Sequence, residues 1–261
     1  MKPLFWLTLM GCRQPMTADA DPTVDNPTDA WGALLAQVVS PDGYVDYDQL
    51  EQQREPLDQY VAWISNDDLF ENEKITSHHH AFWLNTYNAL VMFQVLERGQ
   101  PDSVLDIGEW IPGEGAGFFV FTQFDIANHH MSLAEIRDEQ IRWREMDYRS
   151  HAAMNSGMRS SAPLSRELYT GPTLFTQLRK QMSRWISDPD RGVYIEGDVL
   201  RINPLFEQYA RDFDFFSAGL DLCTIAARHA SAPLAQHLKT LSSEGCPTQT
   251  YAFDPSLNEI P

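Results

Sequence analysis

Residues 151–164 contain a histidine and two serines close enough along the chain to suggest nucleophilic chemistry. His151 precedes Ser156 and Ser161, and Arg159 lies between the two serines. A serine hydroxyl becomes a nucleophile when an adjacent imidazole accepts its proton. The segment contains neither a Gly-x-Ser-x-Gly nor a Ser-x-x-Lys pattern, so an ordinary serine-rich loop is the alternative interpretation.

A second polar group lies within the long apolar segment from residue 73 to residue 98. In a helix, His78, Asn85 and Asn88 fall on one stripe. A buried amide without a partner costs about 1–3 kcal/mol, so the two asparagines must find partners. They form either the floor of a polar pocket or a structural network that bonds loop backbones, and the sequence leaves both open. For His78 the structural role is favoured.

Two groups of histidines have the residue types of a metal site but not the spacing. The histidines at 78–80 are consecutive, and consecutive residues of a helix point in different directions. Asp125 with His129 and His130 lacks a compact spacing to a third ligand on a helix. We therefore predict no metal site and no cofactor.

The elements that must position these side chains are mainly helical. Apolar spacing predicts helices over 28–38, 50–64 and 73–98, one that begins at Ser132, one over 174–185 and one that begins after Asn203. Strands are predicted over 118–124 and 150–155, with a hairpin around Gly197 and a glycine-rich connector at 112–117. Helices outnumber strands and do not alternate regularly with them. The prediction is an α+β fold, with one helix-rich domain and a small antiparallel sheet.

The composition excludes several functional classes. The chain has 261 residues, of which 43% are hydrophobic, so wholesale disorder is excluded. It carries 19 Lys and Arg against 37 Asp and Glu, which gives a formal net charge of −18. Such a charge repels phosphates, so we expect no nucleic-acid partner and no electrostatic binding to anionic lipid headgroups.

The first residues have the order of a minimal secretory signal. Lys2 precedes a short apolar run, and Gly11 precedes Cys12. Residues 9–12 resemble the lipobox of bacterial lipoproteins, in which the cysteine becomes the lipidated first residue of the mature protein. Arg13 stands where some bacteria place an inner-membrane retention Asp, so the expectation is an outer-membrane lipoprotein facing the periplasm. The alternative is an apolar cytosolic N-terminus with a chance cysteine.

These features predict three segments: a lipoprotein signal peptide over 1–11, a flexible acidic tether over 12–27, and one domain over 28–261. The apolar run is far shorter than the roughly 20 residues of a membrane-spanning helix, so we expect membrane contact through the lipid anchor only. An oxidising periplasm would let Cys223 and Cys246 pair, although their spacing alone does not decide it.

Six blocks, in order along the chain, resemble the bacterial and plant family called domain of unknown function 547. The most specific is AFWLNTYNAL at residues 81–90. The others are GYVDY at 43–47, Ser132-Leu133 with Ile136, residues 151–164, the set Leu200, Phe206, Tyr209, Asp212 and Phe213, and residues 251–258. The family has no settled activity. Its cysteine and histidine blocks imply, by analogy only, a papain-like or transglutaminase-like fold.

The chain departs from the family pattern at chemically important positions. Ser156 and Ser161 stand where the family has cysteines, Arg137 stands where it has a glutamate, and Pro255 replaces a tryptophan. A serine in a site shaped for cysteine is more often inactive than converted, because only the thiol is partly ionised near neutral pH.

Three hypotheses follow. The first is a cell-envelope lipoprotein whose pocket binds a small polar ligand, peptide or glycan without chemistry. The pocket residues would be Asn85, Asn88, His151, Ser156, Arg159 and Ser161. The alternative is a hydrolase or acyltransferase in which Ser156 or Ser161 attacks and His151 is the base. The third is an interaction protein whose acidic face meets a basic partner.

Overall fold

The computed structural model describes residues 15–66, 77–108, 115–127 and 129–261. About half of the protein is helical and the sheets are small, so the predicted α+β class is confirmed. The predicted signal peptide, Cys12 and the first half of the glycine-rich connector lie outside the described residues. No described helix is long and apolar enough to cross a membrane.

The described helices vary greatly in length. They are α1 (Thr28–Val38), α2 (Tyr47–Gln52), α3 (Glu55–Trp63), α4 (Ser77–Glu97), α5 (Ala116–Phe119), α6 (Leu133–Glu135), α7 (Trp143–Glu145), α8 (Ser150–Ala153), α9 (Leu174–Ile186), α10 (Pro204–Gln208), α11 (Ala210–Phe216), α12 (Leu222–His229) and α13 (Ala232–Ser243). Helices α6 and α7 are joined without a break by a π-helical stretch, Ile136–Arg142. A short 3-10 turn covers Val104–Asp106.

Two small sheets complete the architecture. Strands β1 (Phe124–Ile126) and β2 (His129–Met131) pair antiparallel, with Phe124 opposite Met131. Strands β3 (Val193–Glu196) and β4 (Val199–Ile202) form the antiparallel hairpin predicted around Gly197. Strand β5 (Thr248–Thr250) adds to β4 in parallel, so the second sheet is mixed.

Helix α4 is the central element of the fold. From His79 to Leu96 every side chain except that of Phe82 is buried, as its all-round apolar sequence predicts. A helix with no solvated face must be covered on all sides, and α4 therefore fixes the elements that pack around it. The described part of this helix begins at Ser77.

Two hydrophobic clusters meet next to the short helix α8. The larger cluster surrounds α4 and includes Ala153 and Met154. The smaller one lies among α9, the second sheet and the last helices, and includes Ala152. Helix α8 therefore lies at the boundary of the two clusters, and it carries His151.

Both predicted strands next to the site were wrong. The segment predicted as a strand over 118–124 begins with α5 instead, because Gly115 starts a helical turn and Gln94 of α4 donates a hydrogen bond to the Phe118 carbonyl at 3.2 Å. Residues 150–153 form α8, because Asp147 accepts hydrogen bonds from the backbone N–H groups of Arg149 and Ser150 through its side chain and its carbonyl, respectively. Tertiary contacts and a local turn outweigh weak β propensity in both cases.

The predicted helix over 50–64 is also wrong as a single element, since α2 and α3 divide it, with Pro56 in the first turn of α3. The capping box at Ser132 is present, and Asn203 caps α10 as predicted. Cys223 and Cys246 form a disulfide that joins α12 to the segment after α13.

Residues 254–260 bind back along the segment that contains the two serines. The backbone N–H groups of Arg159 and Ser160 donate to the carbonyls of Ser256 and Asp254 at 2.7 and 3.1 Å. The N–H of Asn258 donates to the Gly157 carbonyl at 3.1 Å. This C-terminal strap holds the serine loop against the body of the protein.

Candidate functional site

His151 is held by an aspartate from a distant part of the chain. Its Nε2 lies 2.8 Å from Oδ2 of Asp212 on α11. The imidazole stacks on the ring of Tyr209 at 4.4 Å and packs against Phe213 at 5.4 Å. Only 7% of His151 is exposed, so its orientation is fixed by these three neighbours.

Asp212 is itself fixed by an arginine. Arg142 donates from Nε to Oδ2 at 2.7 Å and from Nη2 to Oδ1 at 3.0 Å. Burial raises the pKa of Asp212, but the hydrogen bonds from His151 and Arg142 outweigh it and lower the pKa to about 2. The carboxylate is therefore ionised at neutral pH and accepts a hydrogen bond from the imidazole Nε2–H.

This pairing determines which ring nitrogen is available for chemistry. Burial lowers the pKa of His151, and this effect is larger than the increase that the hydrogen bond to Asp212 and its negative charge cause. The ring is therefore neutral near pH 7. A neutral imidazole that donates from Nε2 has its lone pair on Nδ1. His151 thus has the orientation of a general base or of a hydrogen-bond acceptor, with Asp212 as its positioning residue.

Further ion pairs lie along the π-helical stretch. Arg142 donates from Nη1 to Asp138 at 2.6 Å, and Arg137 donates to the same carboxylate from Nε and Nη2, both at 2.8 Å. Tyr209 lies over the guanidinium of Arg142, 4.6 Å from ring centroid to carbon. The wider turn of a π-helix, a form often found at functional sites, carries all three of these charged residues.

Ser156 and Ser161 contact each other and not the histidine. Their Oγ atoms are hydrogen-bonded at 2.6 Å, and the backbone N–H of Ser156 also donates to Ser161 Oγ at 3.4 Å. Ser161 is 1% exposed, whereas Ser156 is partly exposed. Among the hydrogen bonds of the described residues, none joins His151 to either serine.

A cavity of about 630 Å³ brings His151 and Ser156 together. Arg137, Tyr87 and Tyr209 line the same cavity. The remainder of its wall is mainly apolar: Leu105, Phe119, Val120, Phe121, Met154, Met158 and Phe253. Its volume lies within the range of about 300–1,000 Å³ that is usual for small-molecule sites.

Comparison with known proteins identifies the family of the central segment. Residues 71–186 match the model of the family described as "Protein of unknown function, DUF547". This segment of the chain belongs to the DUF547 family. No curated protein and no solved structure matches the chain.

The DUF547 match contains His151 and both serines but ends before Asp212. The positioning carboxylate, the stacking ring of Tyr209 and the C-terminal strap therefore come from the chain beyond the matched segment. The family description specifies no activity, and the papain-like or transglutaminase-like fold stays a prediction.

Asn85 and Asn88, which lie within the segment that matches DUF547, form hydrogen bonds with backbone groups. Asn85 donates to the Tyr169 carbonyl at 2.9 Å and accepts from the Tyr169 N–H at 2.8 Å. Asn88 donates to the Ala153 carbonyl at 2.8 Å and accepts from the Asn155 N–H at 2.9 Å. Neither asparagine lines the cavity. Their hydrogen bonds are those of a structural network that bonds loop backbones.

Asn155, which the sequence analysis did not single out, is the centre of the serine loop. Its Nδ2 donates to the Ala162 carbonyl at 2.7 Å, and its Oδ1 accepts from the Gly157 N–H and from Asn258 Nδ2, both at 2.8 Å. Asn258 in turn accepts from Tyr47 Oη at 2.8 Å. The loop that carries both serines is thus fixed by α4, by its own amide and by the strap.

Arg159 lies away from the cavity. It donates from Nη2 to the Glu259 carbonyl at 2.9 Å, and its guanidinium lies 4.9 Å from the centre of the Tyr44 ring. Its contacts attach the strap to the serine loop rather than forming part of the cavity wall.

The histidines of α4 contact an acidic residue of α7. His79 Nδ1 and His80 Nδ1 lie 3.6 and 3.8 Å from the two carboxylate oxygens of Glu145. His80 Nε2 also bonds Ser150 Oγ at 2.9 Å. His130 lies 3.7 Å from Asp125 across the first hairpin.

One compact group of metal-ligand types occurs among the described residues. It comprises Asp221, Cys223 and Cys246, and the two sulfurs in it are already joined to each other as a disulfide. The DUF547 segment does not contain this group.

Proposed function

We propose that this protein is a lipid-anchored binding protein of the cell envelope that takes a small ligand into the His151 cavity without transforming it. The single observation that carries this proposal is the hydrogen bond between the two serine hydroxyls at 2.6 Å. A serine is nucleophilic only with a base at hydrogen-bond distance, and His151 is not bonded to either hydroxyl.

The cavity supports binding in its own right. Its walls are mainly apolar and a few polar groups converge at one place, which is the usual composition of a small-molecule site. The polar groups are held rigidly, since His151 is fixed by Asp212 and the Ser156 loop is fixed by Asn155. A rigid site loses less conformational entropy when a ligand binds.

Two measurements test the proposal. The wild-type protein should not react with a fluorophosphonate probe, and its thermal midpoint should rise with at least one compound from a panel of muropeptides and small organic acids. Ala134→Phe places a large ring at the cavity wall and should abolish that rise, whereas Ala36→Phe on α1, outside the cavity, should leave it intact. A panel without any shift would favour the interaction-protein hypothesis.

A hydrolase or acyltransferase is the second candidate, and one observation favours it. His151 has an ionised aspartate on Nε2, a lone pair on Nδ1 and a serine in the same cavity, which is the set of groups that acyl transfer requires. Rotation of the Ser156 hydroxyl away from Ser161 would be needed before Nδ1 could accept its proton. Probe labelling that Ser156→Ala abolishes and Ser161→Ala retains would establish this activity and overturn the binding-only function.

Two features support export to an oxidising compartment. Cys12 follows an apolar run and Gly11 in the order of a lipobox. The disulfide between Cys223 and Cys246 fits the periplasm, because cytosolic thiols are kept reduced. Arg13 after the cysteine favours the outer membrane as the final location.

Labelled palmitate tests the anchor directly. Cells that express the full chain should incorporate the label into the protein, and Cys12→Ala should remove it. Cys223→Ala is the matched control and should keep the label. Incorporation that persists in Cys12→Ala would refute lipidation at this residue.

A further inference from the structure

The wall of the cavity beside His151 differs in charge from the acidic chain as a whole. The chain carries 37 Asp and Glu, but none of the described residues that line this cavity is a carboxylate. Among those residues, Arg137 is the one cation. A second cavity of about 640 Å³, between α11 and β5, is of similar size and is lined by Glu207, Asp214 and Asp221. The absence of acids among the described lining residues therefore distinguishes the His151 cavity from this second cavity.

Arg137 has a donor available for a ligand. Its Nε and Nη2 are both bonded to Asp138, and its Nη1 bonds no described residue. The contact with Asp138 fixes the plane of the guanidinium, because both bonds go to one carboxylate. A ligand anion at Nη1 would thus meet a positioned donor rather than a mobile side chain.

The charges around Arg137 balance without the ligand. Arg137 and Arg142 carry two positive charges, and Asp138 and Asp212 carry two negative charges. With a neutral imidazole at His151 the group has no net charge, so a bound anion meets no uncompensated carboxylate inside the cavity. Ser156 and Tyr87, which line the same space, have hydroxyl groups that can donate to an anionic oxygen.

Most of the other described residues that line the cavity are apolar. They include Leu105, Phe119, Phe121, Met154, Met158 and Phe253, and Phe121 is 44% exposed. An exposed aromatic ring next to an apolar cavity is a surface that an apolar ligand would cover. Flexible methionine side chains adapt to apolar groups of different shapes.

We infer that the cavity binds a small monocarboxylate with an apolar body, its carboxylate on Arg137 and its body against the wall formed by Phe119, Phe121 and Phe253. The inference rests on the proposed binding function and names the ligand class for the same site. A carboxylate is favoured because Arg137 supplies a charged donor in addition to the hydroxyls of Ser156 and Tyr87, and an apolar body is favoured because most of the remaining lining residues are apolar.

Calorimetry on the full chain with three alkyl probes tests this ligand class. Decanoate, decanol and decyltrimethylammonium have unbranched chains of nearly equal length and differ in charge, and decanoate should bind about tenfold or more tightly than the other two, although its alkyl chain is one carbon shorter. Affinity should rise about three- to fourfold for each methylene from hexanoate to decanoate. 4-Butylbenzoate distinguishes an aromatic from an aliphatic body, and binding of either acid supports the class.

Arg137→Gln should weaken decanoate binding about tenfold and leave decanol binding unchanged. Arg201→Gln is the matched control, because Arg201 also pairs with a single carboxylate, that of Glu196, but lies outside the cavity. If Arg137→Gln does not fold, the comparison of the three headgroups on the wild-type protein still decides the question.

The outcomes separate the two proposals. Equal binding of all three probes, or preference for the ammonium, overturns the ligand class and leaves the binding function standing. Binding of muropeptides without binding of any carboxylic acid would also overturn the ligand class and leave the binding function standing. Failure of every compound in both panels to bind overturns the binding function itself.

Discussion

His151 Nε2 and Asp212 Oδ2 lie 2.8 Å apart although 61 residues separate them along the chain. The same carboxylate accepts two further hydrogen bonds from Arg142. Asp212 is 1% exposed, so its charge is stabilised by these neighbours and not by water. The pair therefore links the boundary helix α8, the π-helical stretch and α11 through one buried ion.

Asp212→Asn should lower the free energy of unfolding by about 3 kcal/mol, because it leaves Arg142 without its buried counter-charge. Urea denaturation at pH 7 measures the loss. Asp254→Asn is the control: Asp254 is half exposed and lies 4.0 Å from Arg159, so a change of about 0.5 kcal/mol or less is expected. Equal losses in the two variants would contradict the assigned role of Asp212.

The protein should lose stability as the pH falls below about 6.5. Burial lowers the pKa of His80, His151 and His229, that of His229 to about 4. In this range the unfolded chain binds protons that the native state does not, so the free energy of unfolding decreases with decreasing pH. Urea midpoints from about pH 7.5 to 5 measure the slope.

His229→Gln should flatten that slope, since its imidazole is replaced by a group that does not titrate. His78→Gln at the exposed start of α4 is the control for the removal of an imidazole. A wild-type midpoint that is constant over the whole range would exclude the lowered histidine pKa values.

Asn88→Ala should destabilise the protein by about 2–3 kcal/mol, because it leaves the Ala153 carbonyl and the Asn155 N–H buried without partners. Asn26→Ala serves as the control, since Asn26 is exposed and accepts hydrogen bonds only from Thr28. Hydrogen exchange at the Asn155 amide should increase in the first variant and stay unchanged in the second. A loss of ligand affinity without a loss of stability would assign Asn88 to the pocket instead.

Reduction of the disulfide should lower the free energy of unfolding by about 3 kcal/mol, given the sequence separation of 23 between Cys223 and Cys246. Denaturation with and without a reductant measures this difference. In the double variant Cys223→Ala/Cys246→Ala the reductant should have no effect. A wild-type midpoint that does not respond to reduction would show that this crosslink contributes nothing to stability.

Carboxylate binding should strengthen as the pH falls from about 7.5 to about 6. A ligand anion beside Arg137 adds a negative charge to a group in which Asp212, Arg142, Arg137 and Tyr209 surround His151, and this charge raises the pKa of the imidazole. Protons are then taken up on binding, which calorimetry in buffers of different ionisation enthalpy detects. His151→Gln should abolish the uptake, and decanol should show none.

The apolar pattern of the chain predicts α1, α4 and α9, which bury side chains in the core, but it does not predict α12 and α13. The segment from residue 73 to 98 is apolar on every face, and α4 is buried on every face. The Ser132 capping box and the Asn203 N-cap can also be predicted from the sequence, because each depends on residues a few positions apart. The folded protein therefore contains these local hydrogen bonds as the sequence predicts them.

The site itself depends on contacts that no local pattern encodes. In the sequence, Asp212 and Tyr209 are distinguished only by their match to a family block. That match indicates that they are important but does not indicate their role. Asn155 falls at the end of the strand predicted over 150–155, and nothing in the sequence indicates that it bonds four groups. The strand predicted over 118–124 is wrong because a local pattern does not contain the hydrogen bond from Gln94 on α4 to the Phe118 carbonyl.

The C-terminal strap has a consequence for biosynthesis. The Ser156 loop is held by residues 254–260, which leave the ribosome about 100 residues after the loop itself. Until residue 258 has been made, Asn155 lacks one of its partners and the wall formed by Phe253 does not exist. A nascent chain that has not reached Phe253 therefore lacks part of the cavity wall as well as the contacts that hold the Ser156 loop.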